Sequence, residues 1–158
     1  MEQELGILYN QLAQKIDSMI PVEWDKLYYL GEVAKGKIAW GSVFYFTMAG
    51  EKQFYLSHDM PRIFGVSQDI YRSLLRELND LLLNLYDCFL NNVQELWEQV
   101  SLSLHSDGKF NIDYKYDVLD NAKEGPLGRQ VIWAYNAFGY MPNDGFSKKI
   151  LEEYLNTL

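Results

Sequence analysis

Trp40-Gly41-Ser42-Val43-Phe44-Tyr45-Phe46 is the stretch on which the fold turns. Its alternate positions Trp40, Phe44 and Phe46 make one apolar face, while Val43 and Tyr45 leave the other only partly polar. A strand with one wet face alternates strictly between apolar and polar residues, and a strand covered on both faces does not. The stretch therefore reads as a central strand flanked on both sides. Leu27 to Val33 before it and Gln53 to Ser57 after it are similarly rich in aromatic and β-branched residues. With Ile38 to Met48, and with Gly36 and Ala49-Gly50 as punctuation, they read as a three-stranded antiparallel meander.

Working outward, the period changes. Leu5, Leu8, Leu12, Ile16 and Met19 recur at helical steps until Pro21 ends the pattern. Asp59-Met60-Pro61-Arg62 reads as a turn or short helical start. Ser67-Gln68-Asp69 offers an N-cap to a long helix expected over 68–96, since a short polar side chain can accept from the first free amides. Its principal stripe is Tyr71, Leu74, Leu75, Leu78, Leu82, Leu85, Phe89 and Val93. A second lane of Leu83, Tyr86 and Leu90 is expected to pack under the C-terminal helices.

A hairpin follows. Val100, Leu102 and Leu104 alternate with Ser101 and Ser103, and Ser106-Asp107-Gly108 supplies the turn. Phe110, Ile112, Tyr114 and Tyr116 then point inward, which leaves Asn111, Asp113 and Lys115 outside. Helices are expected at about 128–138 and 146–155, with Trp133 and Phe138 buried. The order α-βββ-α-ββ-αα implies an α+β fold in which helices cover an antiparallel sheet of about five strands. No repeat, low-complexity run or linker divides the chain, so residues 1–158 are expected to form one domain.

Composition narrows the function classes. The chain has 158 residues, 48% of them hydrophobic and 15% aromatic, which is the profile of a folded protein. The net charge is −8, of which residues 1–79 carry −2 and residues 80–158 carry −6. Nearly all of the latter lies in 80–124. Nucleic-acid binding needs a basic footprint, and this distribution is the opposite. An acidic surface suits a basic partner, although solubility alone would also account for it. The acidic start, Met1 to Leu5, does not read as a secretory signal, and no apolar run approaches a membrane span, so a cytoplasmic location is expected.

Chemistry-bearing motifs are scarce. Cys88 stands alone and is expected to pack as a small hydrophobe. His58-Asp59 resembles a metal phosphohydrolase dipeptide, but only His105 remains to complete a ligand set, so His58 reads as a strand-end residue. Gly125-Pro126-Leu127-Gly128-Arg129 lacks the spacing and ending of a phosphate loop. Gly125 and Pro126 are expected to set a turn, Gly128 to let the backbone approach the sheet, and Arg129 to pair with a carboxylate. No catalytic residue, metal ligand or cofactor site is assigned.

Met19-Ile20-Pro21-Val22-Glu23-Trp24-Asp25-Lys26-Leu27 and the run from Gly125 to Pro142 carry a resemblance over nearly the whole chain. With Asp59-Met60-Pro61 and Phe110-Asn111-Ile112-Asp113-Tyr114, they resemble the YezG-like family of bacterial immunity proteins. The resemblance implies an antitoxin, the cognate inhibitor of a secreted polymorphic nuclease toxin of the LXG type. The implied partner is the basic C-terminal toxin domain, bound stoichiometrically, with no direct nucleic-acid or membrane partner. The family supplies no catalytic motif. Asp107, Asp113, Asp117, Asp120 and Glu124 are the expected toxin-binding residues, because the acidic excess concentrates there. A small-molecule module using the aromatic cluster and a metal-dependent hydrolase are the alternatives from other classes.

Overall fold

A computed structural model describes residues 1–119 and 123–158. They divide into two compact units, Met1–Asp117 and Val118–Leu158. The first unit contains helices α1 (Glu2–Met19), α2 (Met60–Phe64) and α3 (Gln68–Asn91). Its strands are β1 (Trp24–Val33), β2 (Trp40–Met48), β3 (Phe54–Leu56), β4 (Gln99–His105) and β5 (Phe110–Lys115). They form one antiparallel sheet in the order β3-β2-β1-β4-β5. The second unit holds α4 (Pro126–Phe138) and α5 (Gly145–Asn156). The order α-βββ-α-ββ-αα and the α+β class are those expected from the sequence.

The register explains the core. Phe44 lies opposite Tyr29, Tyr29 opposite Leu102, and Leu102 opposite Ile112, so one row of side chains crosses four strands on a single face. Leu27 and Phe46 extend that face. Leu12 and Ile16 from α1, and Leu78, Leu82 and Leu85 from α3, close over it with no exposed surface. Because strand side chains alternate, a one-residue slip of β1 would move Leu27 and Tyr29 off this core, and burial therefore fixes the register. On the opposite face Leu30, Val43 and Tyr45 are also buried, as expected of strands that lack strict alternation. Cys88 is buried among the core residues, where desolvation raises its thiol pKa.

Gly31 faces filled space between β1 and α3. A Cβ there would stand 2.6 Å from Leu82 Cδ1, 2.8 Å from the Tyr29 hydroxyl and 3.1 Å from Val100 Cγ1. Leu82 could swing away, but the Tyr29 hydroxyl is held at 2.7 Å by Ser42 Oγ in a buried hydrogen bond. That hydroxyl cannot move without losing its partner.

Local rules account for most element ends and fail at a few. Ser67 caps α3 by accepting from the Ile70 amide at 3.4 Å. The helix then stops at Asn91, short of the expected 96. Gln94 N–H donates to Phe89 O and Val93 N–H to Leu90 O, which is the double bond of a Schellman cap. That cap wants glycine in the left-handed position, and here Val93 occupies it with φ 54°. Val93 thus leaves the apolar stripe and is 90% exposed. Of the second lane, Tyr86 packs edge-on against Trp97 at 5.5 Å and Leu83 joins the same core. The first unit's own core takes up these two residues, and Leu90 is exposed.

Three further expectations need correction. Phe110 is 42% exposed and Tyr116 lies past the strand end, because β5 is an edge strand that pairs only with β4. Trp133 and Phe138 are half-buried, packed edge-on at 5.6 Å. The buried positions of α4 are instead Gly128, Val131 and Ala134, a three-residue stripe that Trp133 falls outside. The space in front of Gly128 is filled by the Glu124 side chain, whose Cβ would stand 2.7 Å from an added Cβ, with Ile150 of α5 beyond it at 3.8 Å.

Two stability tests follow from these contacts. Gly31→Ala should lower the unfolding free energy by about 1–3 kcal/mol through overpacking, measured by urea denaturation; an unchanged or raised midpoint would refute the close approach. Val93→Gly should raise it by about 1 kcal/mol, because a left-handed L-residue costs roughly 1–2 kcal/mol, partly offset by glycine's greater freedom when unfolded. A destabilised Val93→Gly protein would show that the valine side chain contributes more than its backbone strain costs.

Candidate functional site

The β4–β5 hairpin carries the first expected site residues. Gly108, at φ +91°, turns the chain, and the His105 amide donates to the Lys109 carbonyl at 2.9 Å. Asp107 in the turn accepts from the Lys109 amide at 3.0 Å and lies 4.0 Å from its ammonium. Its charge is thus local and partly balanced.

Asp113 sits on β5 opposite Ser101, on the face away from Ile112 and Tyr114, and is exposed. Among the described residues it forms no ion pair. Asp117 also counts as outward by sequence phase, but it stands beyond the strand with φ 52°, paired with Lys35 at 2.7 Å. Strand phase no longer governs it. Glu124 is half-buried in the second unit, where its carbonyl accepts from Arg129 Nη1 at 2.9 Å. Asp120 lies outside the described residues.

The hairpin therefore carries Asp107 in its turn and Asp113 on its second strand, with Asp117 just past its end. At about 3.3 Å per residue, Asp107 and Asp113 are roughly 20 Å apart, so they form a line of separate charges and not a cluster. Elsewhere in 80–124, Asp87 pairs with Lys37 at 2.8 Å and Glu98 is buried. The acidic excess read from the sequence is therefore partly neutralised by cations from the loop between β1 and β2.

A second surface was not singled out from the sequence as a site. The start of β1 and two nearby turns enclose an open groove of about 910 Å³. Asp25 organises it. Its carboxylate accepts from the Gly50 amide at 3.0 Å and from Ser106 Oγ at 3.1 Å, and its carbonyl accepts from the Ser106 amide at 2.7 Å. The Trp24 indole N–H donates to Asp17 at 2.9 Å. The available signal was the segment Met19 to Leu27, but the pairing of Asp25 with residues 25 and 81 positions away is invisible to local pattern.

His58 is accounted for structurally. It lies in the short helical turn Ser57–Asp59 and shares a 2.5 Å hydrogen bond with the Tyr71 hydroxyl, tying that turn to α3. Desolvation of the ring lowers the His58 pKa, with Asp59 pulling the other way, and burial pushes the Tyr71 hydroxyl up to about 12. Both are neutral at pH 7, and the hydrogen bond needs no charge. Among the described residues, no three His, Cys, Asp or Glu side chains converge as metal ligands.

The model of the family described as immunity protein YezG-like matches residues 5–152. Immunity protein YezG of Bacillus spizizenii is 34% identical, over 98% of this chain and 94% of its own length. Immunity protein YezG of Bacillus subtilis is 33% identical, over 94% and 97%. The type VII secretion system protein EsaG of Staphylococcus aureus is 29% identical, over 99% and 97%. With a family match spanning both units, this chain belongs to the YezG-like immunity protein family, whose role is that of an antitoxin for a cognate toxin.

Proposed function

We propose that this chain inhibits a secreted nuclease toxin of its own producer, in the cytoplasm, by stoichiometric binding with residues 1–158 acting as one immunity domain. A nuclease must present cationic groups to hold phosphates, so its active face attracts an acidic protein and is screened by it. The net charge of −8 supplies the long-range attraction.

The observation that carries the reading is Asp113. It is exposed on the outer face of a rigid edge strand and forms no ion pair among the described residues. A partner meets this carboxylate without first breaking a contact or the fold. Asp117 contributes less, because an incoming cation must compete with Lys35. Binding alone suffices for such a role, and an immunity protein needs no catalytic group. Among the described residues no helix is long and apolar enough to cross a membrane, which is compatible with the proposed location.

The triple variant Asp113→Lys/Asp117→Lys/Asp120→Lys should associate with the toxin's nuclease domain about ten- to a hundredfold more slowly at low salt. Raising the salt should slow the parent in the same way, as screening shortens the reach of the field. Asp113→Lys alone should account for most of the effect. A folded triple variant that associates as fast as the parent at low salt would reduce these carboxylates to solubility groups.

A further inference from the structure

We infer that the groove at the start of β1 is a second contact for the toxin and receives a basic loop, with an arginine or lysine seated against Trp24. This rests on the reading above that the partner is a basic nuclease.

The groove is lined by apolar and acidic side chains together. Pro21, Val22, Trp24 and Leu104 line it together with Asp17, Glu23 and Asp25, and its lining contains no lysine or arginine. A cation between an aromatic face and carboxylates gains from the ring's quadrupole as well as from charge. A guanidinium adds stacking and paired donors, which suits this combination better than a compact ammonium.

Two of the three carboxylates, those of Asp17 and Asp25, are held in place before any partner arrives. Gly50 and Ser106 fix Asp25, and the Trp24 indole N–H fixes Asp17. Each carboxylate has about four acceptor sites, so these bonds orient the group and leave capacity for a new donor. Groups already ordered lose little freedom on binding.

Position supports the same occupant. Ser106 and Gly108 of the hairpin turn line the groove, and the turn's Asp107 leads into the strand that carries Asp113. The groove and strand β5 thus share one turn, and the groove adjoins the hairpin that carries Asp113.

The test uses the catalytically inactivated nuclease domain of the proposed cognate toxin. Glu23→Lys/Ala49→Arg changes two exposed lining positions and should weaken equilibrium binding of that domain about tenfold or more. Glu152→Lys/Asn156→Arg makes the same charge change at exposed positions of α5 and should stay within about twofold of the parent. Circular dichroism and thermal melting establish that both variants fold.

Parent-like binding by the groove variant overturns the inference, as does equal weakening in the α5 variant, which would signify a general charge effect. A parent that is dimeric by light scattering, with a monomeric groove variant, would make the groove a self-association surface and also overturn it. If the parent itself fails to bind the nuclease domain, the proposed function falls and the groove contact with it. If only the Asp113 variants weaken, the groove contact alone is refuted.

Discussion

The filled space in front of Gly31 is the tightest constraint on β1. Strand β1 pairs with β2 on one side and β4 on the other, and a Cβ added at Gly31 would meet the Leu82 side chain of α3, the Tyr29 hydroxyl and Val100. The Tyr29 hydroxyl fills the remaining space and is anchored by Ser42 on β2. A buried hydroxyl without a partner costs about 1–3 kcal/mol, so the Tyr29–Ser42 bond locks the pairing of these strands as well as the position of the ring. The register shifts between Trp24 and Leu27, and within that irregular start of β1 Asp25 meets Gly50 just past β2 and Ser106 just past β4.

The electrostatic character of the molecule is less uniform than its charge count suggests. Lys35 and Lys37, either side of the left-handed turn at Gly36, reach Asp117 and Asp87. Exposed ion pairs of this kind contribute little to stability, typically 0–1 kcal/mol. Their larger effect here is on the field, because they subtract from the acidic surface near β5. What remains available is Asp113 on one side of the hairpin and the carboxylates of Asp17, Glu23 and Asp25 by its turn. The proposed inhibitor would combine long-range attraction with a few fixed carboxylates, a division between encounter rate and residence time common among charged interfaces.

The legible parts of the sequence were those governed by local pattern. The mixed faces of 40–46 marked a central strand, the clean alternation around Ser101 and Ser103 marked the hairpin, and Ser67 marked a helix start. Asp113 was placed correctly for the same reason, since it lies inside the alternating run. Failures occurred where chain geometry departed from residue preference. Val93 in a glycine position ended α3 early, and Asp117 left the strand phase at a left-handed turn. Trp133 lost its expected burial to the smaller Val131 and Ala134, because packing followed the helix stripe and not side-chain size. The groove was missed because Asp25 draws its meaning from partners far along the chain.

The decisive measurement is hydrogen exchange on this chain, free and mixed with the nuclease domain proposed as its partner. New protection is expected at amides of 105–117 and 22–26, with the core of α3 around Leu78 to Leu85 unchanged. Protection confined to other segments, with the hairpin and the start of β1 exchanging as in the free protein, would contradict the proposed interface.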